Sequence, residues 1–309
     1  MKKVAVIDIG SNTIKLLVAA RGRGRRPEAL LSRTIDARIS AGISRARPRL
    51  SERGMARGVA AVRDLLAAAA VFAPERTVLV ATSAVRDAEN GREFRRRVRA
   101  GTGRAIRILS GREEARLIGR GLTADPALAA LRNFYVFDLG GGSLECLSFR
   151  GRRVTGAVSL PLGCVRLTEK FVPAPGRPFP AAAGRRIADH VARVLSDSGF
   201  AFSLPAGAAA VGTGGTVTTV RAILAARAGR TLEETSTRVT AAELRKLLAW
   251  TGALPLAKRK RVAGLPPARA DVFPAALATV LAIAGIGRLG AFRHSFYNLR
   301  WGLAAELLA

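Results

Sequence analysis

One phrase occurs twice in this chain. "VIDIGSNTIK" runs from Val6 to Lys15, and "VFDLGGGSLE" runs from Val136 to Glu145. Laid together, Val6 meets Val136, Asp8 meets Asp138, Gly10 meets Gly140 and Thr13 meets Ser143. An apolar run ending in Asp, a glycine turn and a hydroxyl therefore recur about half a chain apart. A lone glycine turn constrains little, whereas a duplicated one asks for two units built on one plan.

The repeat extends past the quoted words. After Asp8 come "IKLLVAA", the turn "RGRGRR" and "EALLSRTIDA"; after Asp138 come "LECLSF", "RGRR" and "VTGAVSL". Each half thus predicts three strands joined by Arg/Gly turns, followed by helical spacing. Ser51 can cap a helix carrying Met55, Val59, Val62 and Leu66 on one face. In the second half "RRIADHVARVLSDSG" predicts a helix that stops at Gly199. Further strands are expected to end near Ala81 and Gly212, the latter entering a helix at Thr216. "AIRILS" predicts a strand and Arg112 starts a helix; others are expected around Leu244, over 270–286 and near 299–308.

This layout resembles the actin, sugar kinase and Hsp70 superfamily. It implies an α/β fold of duplicated actin-like (ribonuclease H-like) domains facing each other across a cleft. The expected division is residues 1–116 plus 292–309, with the first glycine turn, and residues 117–291, with two more.

Those turns suggest chemistry. Glycine lets the backbone approach an anion, and successive N–H groups can cradle phosphate oxygens. The first turn offers Gly10, Ser11, Asn12 and Thr13, and the second Gly140, Gly141, Gly142 and Ser143. A third, "GTGGT", puts Gly214 and Gly215 before a helix N-terminus. Asp8 and Asp138 would repel a phosphate placed there unless a cation intervened, and Mg²⁺, held by one or two carboxylates and water, suits that role. Glu145 alternates onto the side of Ser143 and could hold a metal-bound water or position a nucleophile; it could also be a solvated strand residue. In "SGREEA", Glu113 and Glu114 open a helix at the junction of the halves, where either could act as a base or merely suit the helix dipole. Arg86 follows a strand end, but spacing alone does not single out one arginine among so many.

Composition narrows the classes. Two cysteines, Cys146 and Cys164, and two histidines, His190 and His294, make neither a disulfide framework nor a zinc motif. Both histidines read as structural. Asp8 interrupts the first apolar run too early for a signal peptide, and the apolar stretch over 272–287 is too short and too interrupted for a membrane span. A cytoplasmic protein with no membrane partner is expected. The net charge of +29 fits a polyanionic partner or the composition of a GC-rich genome, and charge alone does not choose.

The blocks "DIGSNTIKLLV", "ATSAVRDAENG", "SGREEA", "DLGGGSLE", "SLPLGCVRLTEKF", "GTGGT" and "GLPPARAD" resemble, in order, those of the exopolyphosphatase and guanosine pentaphosphate phosphohydrolase family. The resemblance implies a Mg²⁺-dependent hydrolase that releases terminal orthophosphate from inorganic polyphosphate. Its alternatives are a guanosine pentaphosphate 5′-phosphohydrolase and a non-catalytic polyphosphate or nucleotide sensor; a kinase of the same superfamily is a more distant one. By the same resemblance Glu114 is the catalytic base and Arg86 contacts substrate phosphate. Asp8 and Asp138 bind metal, Glu145 assists catalysis, and the glycine turns hold phosphate. Nucleic acid is not expected as substrate, and a homodimer is left open. Two departures stand out. Trp301 occupies a place where the family carries an acidic residue. The chain stops at Ala309, without the extra helical region of the long members, so the short two-domain form is expected.

Overall fold

The computed structural model describes residues 1–22, 26–40, 42–44 and 46–309. Positions 23–25 of the expected "RGRGRR" turn lie outside the described residues. By contacts along the chain, Met1–Ala129 and Tyr297–Ala309 make one unit and Ala130–Phe296 the other.

In the first unit the apolar run before Asp8 is buried on both faces, as a central strand requires. It forms β1 (Lys3–Ile9), followed by β2 (Ile14–Arg21) and β3 (Pro27–Ile35) in an antiparallel meander. On its other side lie β4 (Arg76–Ala81) and β5 (Ile106–Ile108), both parallel, giving the order β3-β2-β1-β4-β5. The helices are α1 (Glu52–Ala70), α2 (Ser83–Arg86), α3 (Gly91–Thr102) and α4 (Gly111–Ala124). Ser51 caps α1 as expected, its side chain accepting from Gly54 N. The buried face of α1 is turned from the expected one. Gly58, Ala61 and Leu65 are inside, while Val59 and Leu66 are half-buried. The cause is Phe94 of α3, whose ring would lie 2.7 Å from a Cβ on Gly58, so that glycine receives the aromatic.

The second unit repeats the plan. β6 (Phe134–Leu139), β7 (Leu144–Arg150) and β8 (Arg153–Leu160) form the meander. After α5 (Cys164–Phe171) and α6 (Ala181–Asp197), β9 (Ala209–Thr213) joins in parallel and leads into α7 (Gly215–Arg227). Then come β10 (Arg238–Thr240), α8 (Ala241–Ala253), α9 (Leu256–Arg259), α10 (Phe273–Ile286) and β11 (Ala291–His294). The sheet order is β10-β11-β9-β6-β7-β8. Read from β8, its first five strands reproduce the order of the first unit, with β10 added at the edge. The duplication reaches the irregularities: register shifts at Val18/Ala19 and at Ser148/Phe149, the same offset that separates Asp8 from Asp138.

The last helix, α11 (Leu299–Leu308), returns to the first unit. It packs along α4 at Gly121 and Gly302; a Cβ on either would overlap the other helix's backbone carbonyls, of Asn298 and Leu117. That packing keeps α4 whole, so the first unit runs to Ala129 rather than to the expected 116. At the far end β11 lies between β9 and β10, so 292–296 belongs to the second unit. The apolar stretch over 272–287 is the buried α10, as expected, and no described helix is long and apolar enough to cross a membrane.

Candidate functional site

The C-terminal ends of parallel strands collect the singled-out residues of the first unit. Asp8, near the end of β1, is in register with Val80, and Ala81 is in register with Ile108, so the ends of β1, β4 and β5 lie side by side. In open α/β sheets this edge is where ligands bind. From it emerge the Gly10–Thr13 turn, the Arg86 helix and the Glu114 helix. In the turn, Gly10 N donates to Thr13 O at 3.1 Å. Its carbonyls are held from behind, Ser11 O by Ser40 N and Oγ and Asn12 O by Arg38 N. Among the described residues the N–H groups of Ser11 and Asn12 have no acceptor. Ser11 Oγ and both amide atoms of Asn12 are buried without a hydrogen-bond partner. Native proteins rarely leave such groups unmet, and an anion accepting from them would satisfy the donors. Burial pushes the Asp8 carboxyl up, opposed by the charges of Lys15 and Arg300.

The two glutamates of "SGREEA" separate cleanly. Glu113 closes a capping box: Ser110 N donates to its Oε2 at 2.9 Å while Ser110 Oγ accepts from Glu113 N. Arg107 Nη2 also donates to it at 2.7 Å. The Ser110 backbone bond, then Arg107, hold its carboxyl down at about 2. Glu113 is thus committed to the helix end. Glu114 is buried at 7% exposure, its Oε2 3.5 Å from Arg86 Nη1. Arg86 Nη1 donates also to Leu109 O at 3.0 Å, and its Nε pairs with Asp87 at 3.2 Å. The guanidinium is therefore fixed from two sides, leaving Nη2 for an anion.

In the second unit Gly140 N donates to Ser143 O at 3.0 Å, matching the first turn. Here the carbonyls of Gly140 and Gly141 are held by the start of α5, through Cys164 N and Val165 N. Among the described residues the N–H groups of Gly141 and Gly142 have no acceptor. Gly214, at φ +84, lies against Asp138, and a Cβ there would overlap Asp138 Oδ1. Sequence reasoning missed two arginines. Arg166 Nε donates to Gly142 O at 3.1 Å, and the Arg269 guanidinium covers Gly215 at the start of α7. Their signal was present, since both lie inside blocks quoted above, "SLPLGCVRLTEKF" and "GLPPARAD".

Register places Thr213, Asp138, Glu145 and Ser159 in one row across β9, β6, β7 and β8. Register partners share a face, so the Asp138 and Glu145 carboxylates are set directly opposite each other. Ser159 Oγ donates to Glu145 Oε1 at 2.8 Å, and Thr213 Oγ1 is buried without a partner. Among the described residues no cluster of three His, Cys, Asp or Glu side chains could by itself hold a metal. An oxygen-only pair of carboxylates does fit Mg²⁺, which keeps waters and takes substrate phosphate oxygens as its remaining ligands. In the first unit the position equivalent to Glu145 is Lys15, opposite Asp8.

Behind the third turn lies a relay that sequence reasoning did not find. Arg221 Nη1 sits 2.9 Å from His294 Nδ1. A guanidinium only donates, so Nδ1 accepts and the ring proton is on Nε2. Nε2 donates to Thr218 Oγ1 at 3.0 Å, and that hydroxyl donates to Gly214 O at 2.9 Å. Arg221 also donates to the carbonyls of Leu232, Thr235 and Ser236. His294 is structural, as expected, and its strut ends on the Gly214 turn.

The repeated sheet order, with a turn of anion-cradle geometry at the same place in each half, defines an α/β protein of actin-like fold in two units. The chain belongs to the Ppx/GppA phosphatase family, whose sequence model matches residues 17–309. It is similar to exopolyphosphatase 1 of Mycobacterium tuberculosis, 33% identical over 185 residues, 57% of this chain and 51% of that relative. The chain therefore spans about half the length of the curated relatives it matches there. An uncharacterized protein of Streptomyces coelicolor is 30% identical over 275 residues, 87% of this chain and 79% of that protein. Among solved structures, the Aquifex aeolicus Ppx/GppA enzyme is 26% identical with a TM-score of 0.77, covering 99% of each chain. The fold is also that of an exopolyphosphatase from Cytophaga hutchinsonii, TM-score 0.86 at 21% identity over 99% of this chain and 98% of that one.

Proposed function

We infer that this chain is a phosphoanhydride hydrolase that releases terminal orthophosphate from inorganic polyphosphate. The observation that carries the reading is the division between the glutamates. Glu113 is consumed by its capping box, while Glu114 is buried beside an immobilised arginine at the strand edge where the first anion turn emerges. Membership of the Ppx/GppA family and the likeness to an exopolyphosphatase support the substrate class.

The chemistry asks three things of the residues. The glycine turns, with Ser11, Asn12, Thr13 and Ser143, bind phosphate oxygens through N–H and hydroxyl donors. Asp138 and Glu145 in the second unit, and Asp8 in the first, are the carboxylates that would hold Mg²⁺ where phosphate binds, and the metal would neutralise charge on the phosphates. Glu114 orients a water and takes its proton as the water oxygen attacks the terminal phosphorus. The anhydride P–O bond breaks, and the shortened polyphosphate leaves. Arg86 Nη2 steadies the transferred group. Such reactions depend mostly on positioning and electrostatics.

The test is orthophosphate release from polyphosphate, guanosine pentaphosphate and ATP side by side, with Mg²⁺ and with chelator. Polyphosphate should be the best substrate and chelator should abolish release. Glu114→Gln should lower turnover about 10²–10⁴-fold with substrate affinity held within a few-fold. A Gln variant that turns over like its parent would exclude Glu114 as base, and a preference for guanosine pentaphosphate would replace the substrate assignment.

A further inference from the structure

In the second unit the carboxylate pair has a hydroxyl residue on either side. Register runs Thr213, Asp138, Glu145 and Ser159 across β9, β6, β7 and β8. Beyond Thr213 the row stops, because β11 ends at His294, the partner of Gly212. Ser159 Oγ is engaged with Glu145 Oε1. Thr213 is fully buried, and its Oγ1 has no hydrogen-bond partner among the described residues. A buried hydroxyl left unmet is costly. Valine has the same shape, suits a strand as well and carries no such cost.

The first unit shows that valine is accepted at this place. Its equivalent row is Val80, Asp8, Lys15 and Thr34, across β4, β1, β2 and β3. There the aspartate faces a lysine, and its other neighbour is the fully buried Val80. Where the aspartate faces a second carboxylate, that neighbour is Thr213. The hydroxyl thus accompanies the doubly acidic cradle and is absent from the neutral one. The Asp138 carboxylate also leans toward β9, since a Cβ on Gly214, the residue after Thr213, would overlap its Oδ1. Glu145 is tied to the other side, toward β8, by Ser159.

We propose that Thr213 is a positioning residue for a divalent cation on Asp138 and Glu145, its Oγ1 accepting a hydrogen bond from a water that the cation keeps. Mg²⁺ retains several waters, and binding to the ion makes each a stronger donor. A neutral hydroxyl orients such a water without adding charge, as outer-shell partners of metals do. This role rests on the reading of Asp138 and Glu145 as metal carboxylates and adds to it the group that orients the hydrated ion.

The probe is Mn²⁺, which shares the preference of Mg²⁺ for oxygen, titrated into the full chain without substrate while electron paramagnetic resonance reads the free ion. Mg²⁺ is then measured by competition. Thr213→Val installs the residue type of Val80, so the metal-free variant should melt no lower than its parent. Its Kd for both ions should rise about tenfold, the scale of losing an outer-shell partner. Thr213→Ser keeps the hydroxyl and should stay within a few-fold of the parent, and Thr213→Ala stands in if the valine variant folds poorly. A valine variant that binds metal as tightly as the parent, or a serine variant that loses as much as valine, would overturn the role of the hydroxyl. Asp138→Asn separates the two levels. If it abolishes binding while Thr213→Val leaves binding unchanged, Thr213 alone is released from the site. If the parent binds neither ion, or Asp138→Asn binds as well as the parent, the metal reading of the carboxylates falls and the role of Thr213 falls with it.

Discussion

His294 is 3% exposed, and both ring nitrogens are engaged, Nδ1 as acceptor from Arg221 and Nε2 as donor to Thr218. Protonation would put a hydrogen on Nδ1, facing a guanidinium that has only hydrogens to offer. Burial first, and the Arg221 charge second, hold the imidazole down at about 3 from an ordinary 6.5. Between those values the unfolded chain binds a proton that the folded chain refuses, so stability rises with pH across the window and is lost as pH falls. Each pH unit is worth about 1.4 kcal/mol. Acidification from pH 6.5 to 4 should therefore remove roughly 3 kcal/mol, a large share of the 5–15 kcal/mol typical of a domain. His294→Gln keeps a donor for Thr218 and cannot titrate. Urea unfolding from pH 4 to 7.5 should show a steep acid limb in the parent and a flatter one in the variant. Trp250 fluorescence in a Trp301→Phe background confines the signal to the second unit. Parallel pH profiles for parent and variant would refute the argument, whatever the variant's stability at neutral pH.

Other outcomes follow from the same geometry. Gly214→Ala forces a side chain into a backbone region open essentially to glycine and against Asp138; it should cost about 1–3 kcal/mol and depress orthophosphate release far more than the melting temperature suggests. Glu113→Ala should cost α4 about 1 kcal/mol through its broken capping box yet leave turnover within about threefold, the reverse of Glu114→Gln. Raising salt past the range where the Debye length is about 10 Å should lower kcat/KM for long polyphosphate more than for triphosphate if the +29 charge steers the substrate. Parallel salt curves for the two substrates would assign that charge to composition alone.

The sequence made the meanders and the turn positions visible because their signals are local: an apolar run, an Asp, a glycine cluster, an Arg/Gly turn. What it left open was decided by distant residues. Glu113 and Glu114 both stand in the first turn of α4, and the Ser110 and Arg107 bonds to one and the Arg86 contact to the other divide their roles. The helix α3 was missed because arginine-rich "REFRRRVR" shows only Phe94 and Val98 as apolar markers. The buried face of α1 was misjudged because Gly58 reads as a weak helix former until Phe94 is seen against it. The strands β10 and β11 are too short, at 3 and 4 residues, for alternation to speak. The His294 strut joins residues 76 positions apart, and no spacing rule connects them.

Lys15 and Glu145 hold the same place in the two repeats, each opposite the repeat's aspartate. Beside Asp8 the lysine cancels charge; beside Asp138 the glutamate doubles it. Two identical half-length chains assembling as a symmetric pair would have to carry the same residue at both places, either two neutral cradles or two doubly acidic ones. In a single chain the two places are independent, so one cradle sets a lysine beside its aspartate and the other sets a second carboxylate there. Exchanging Lys15 and Glu145 would show whether that division of labour is tied to a particular half or only to there being one of each.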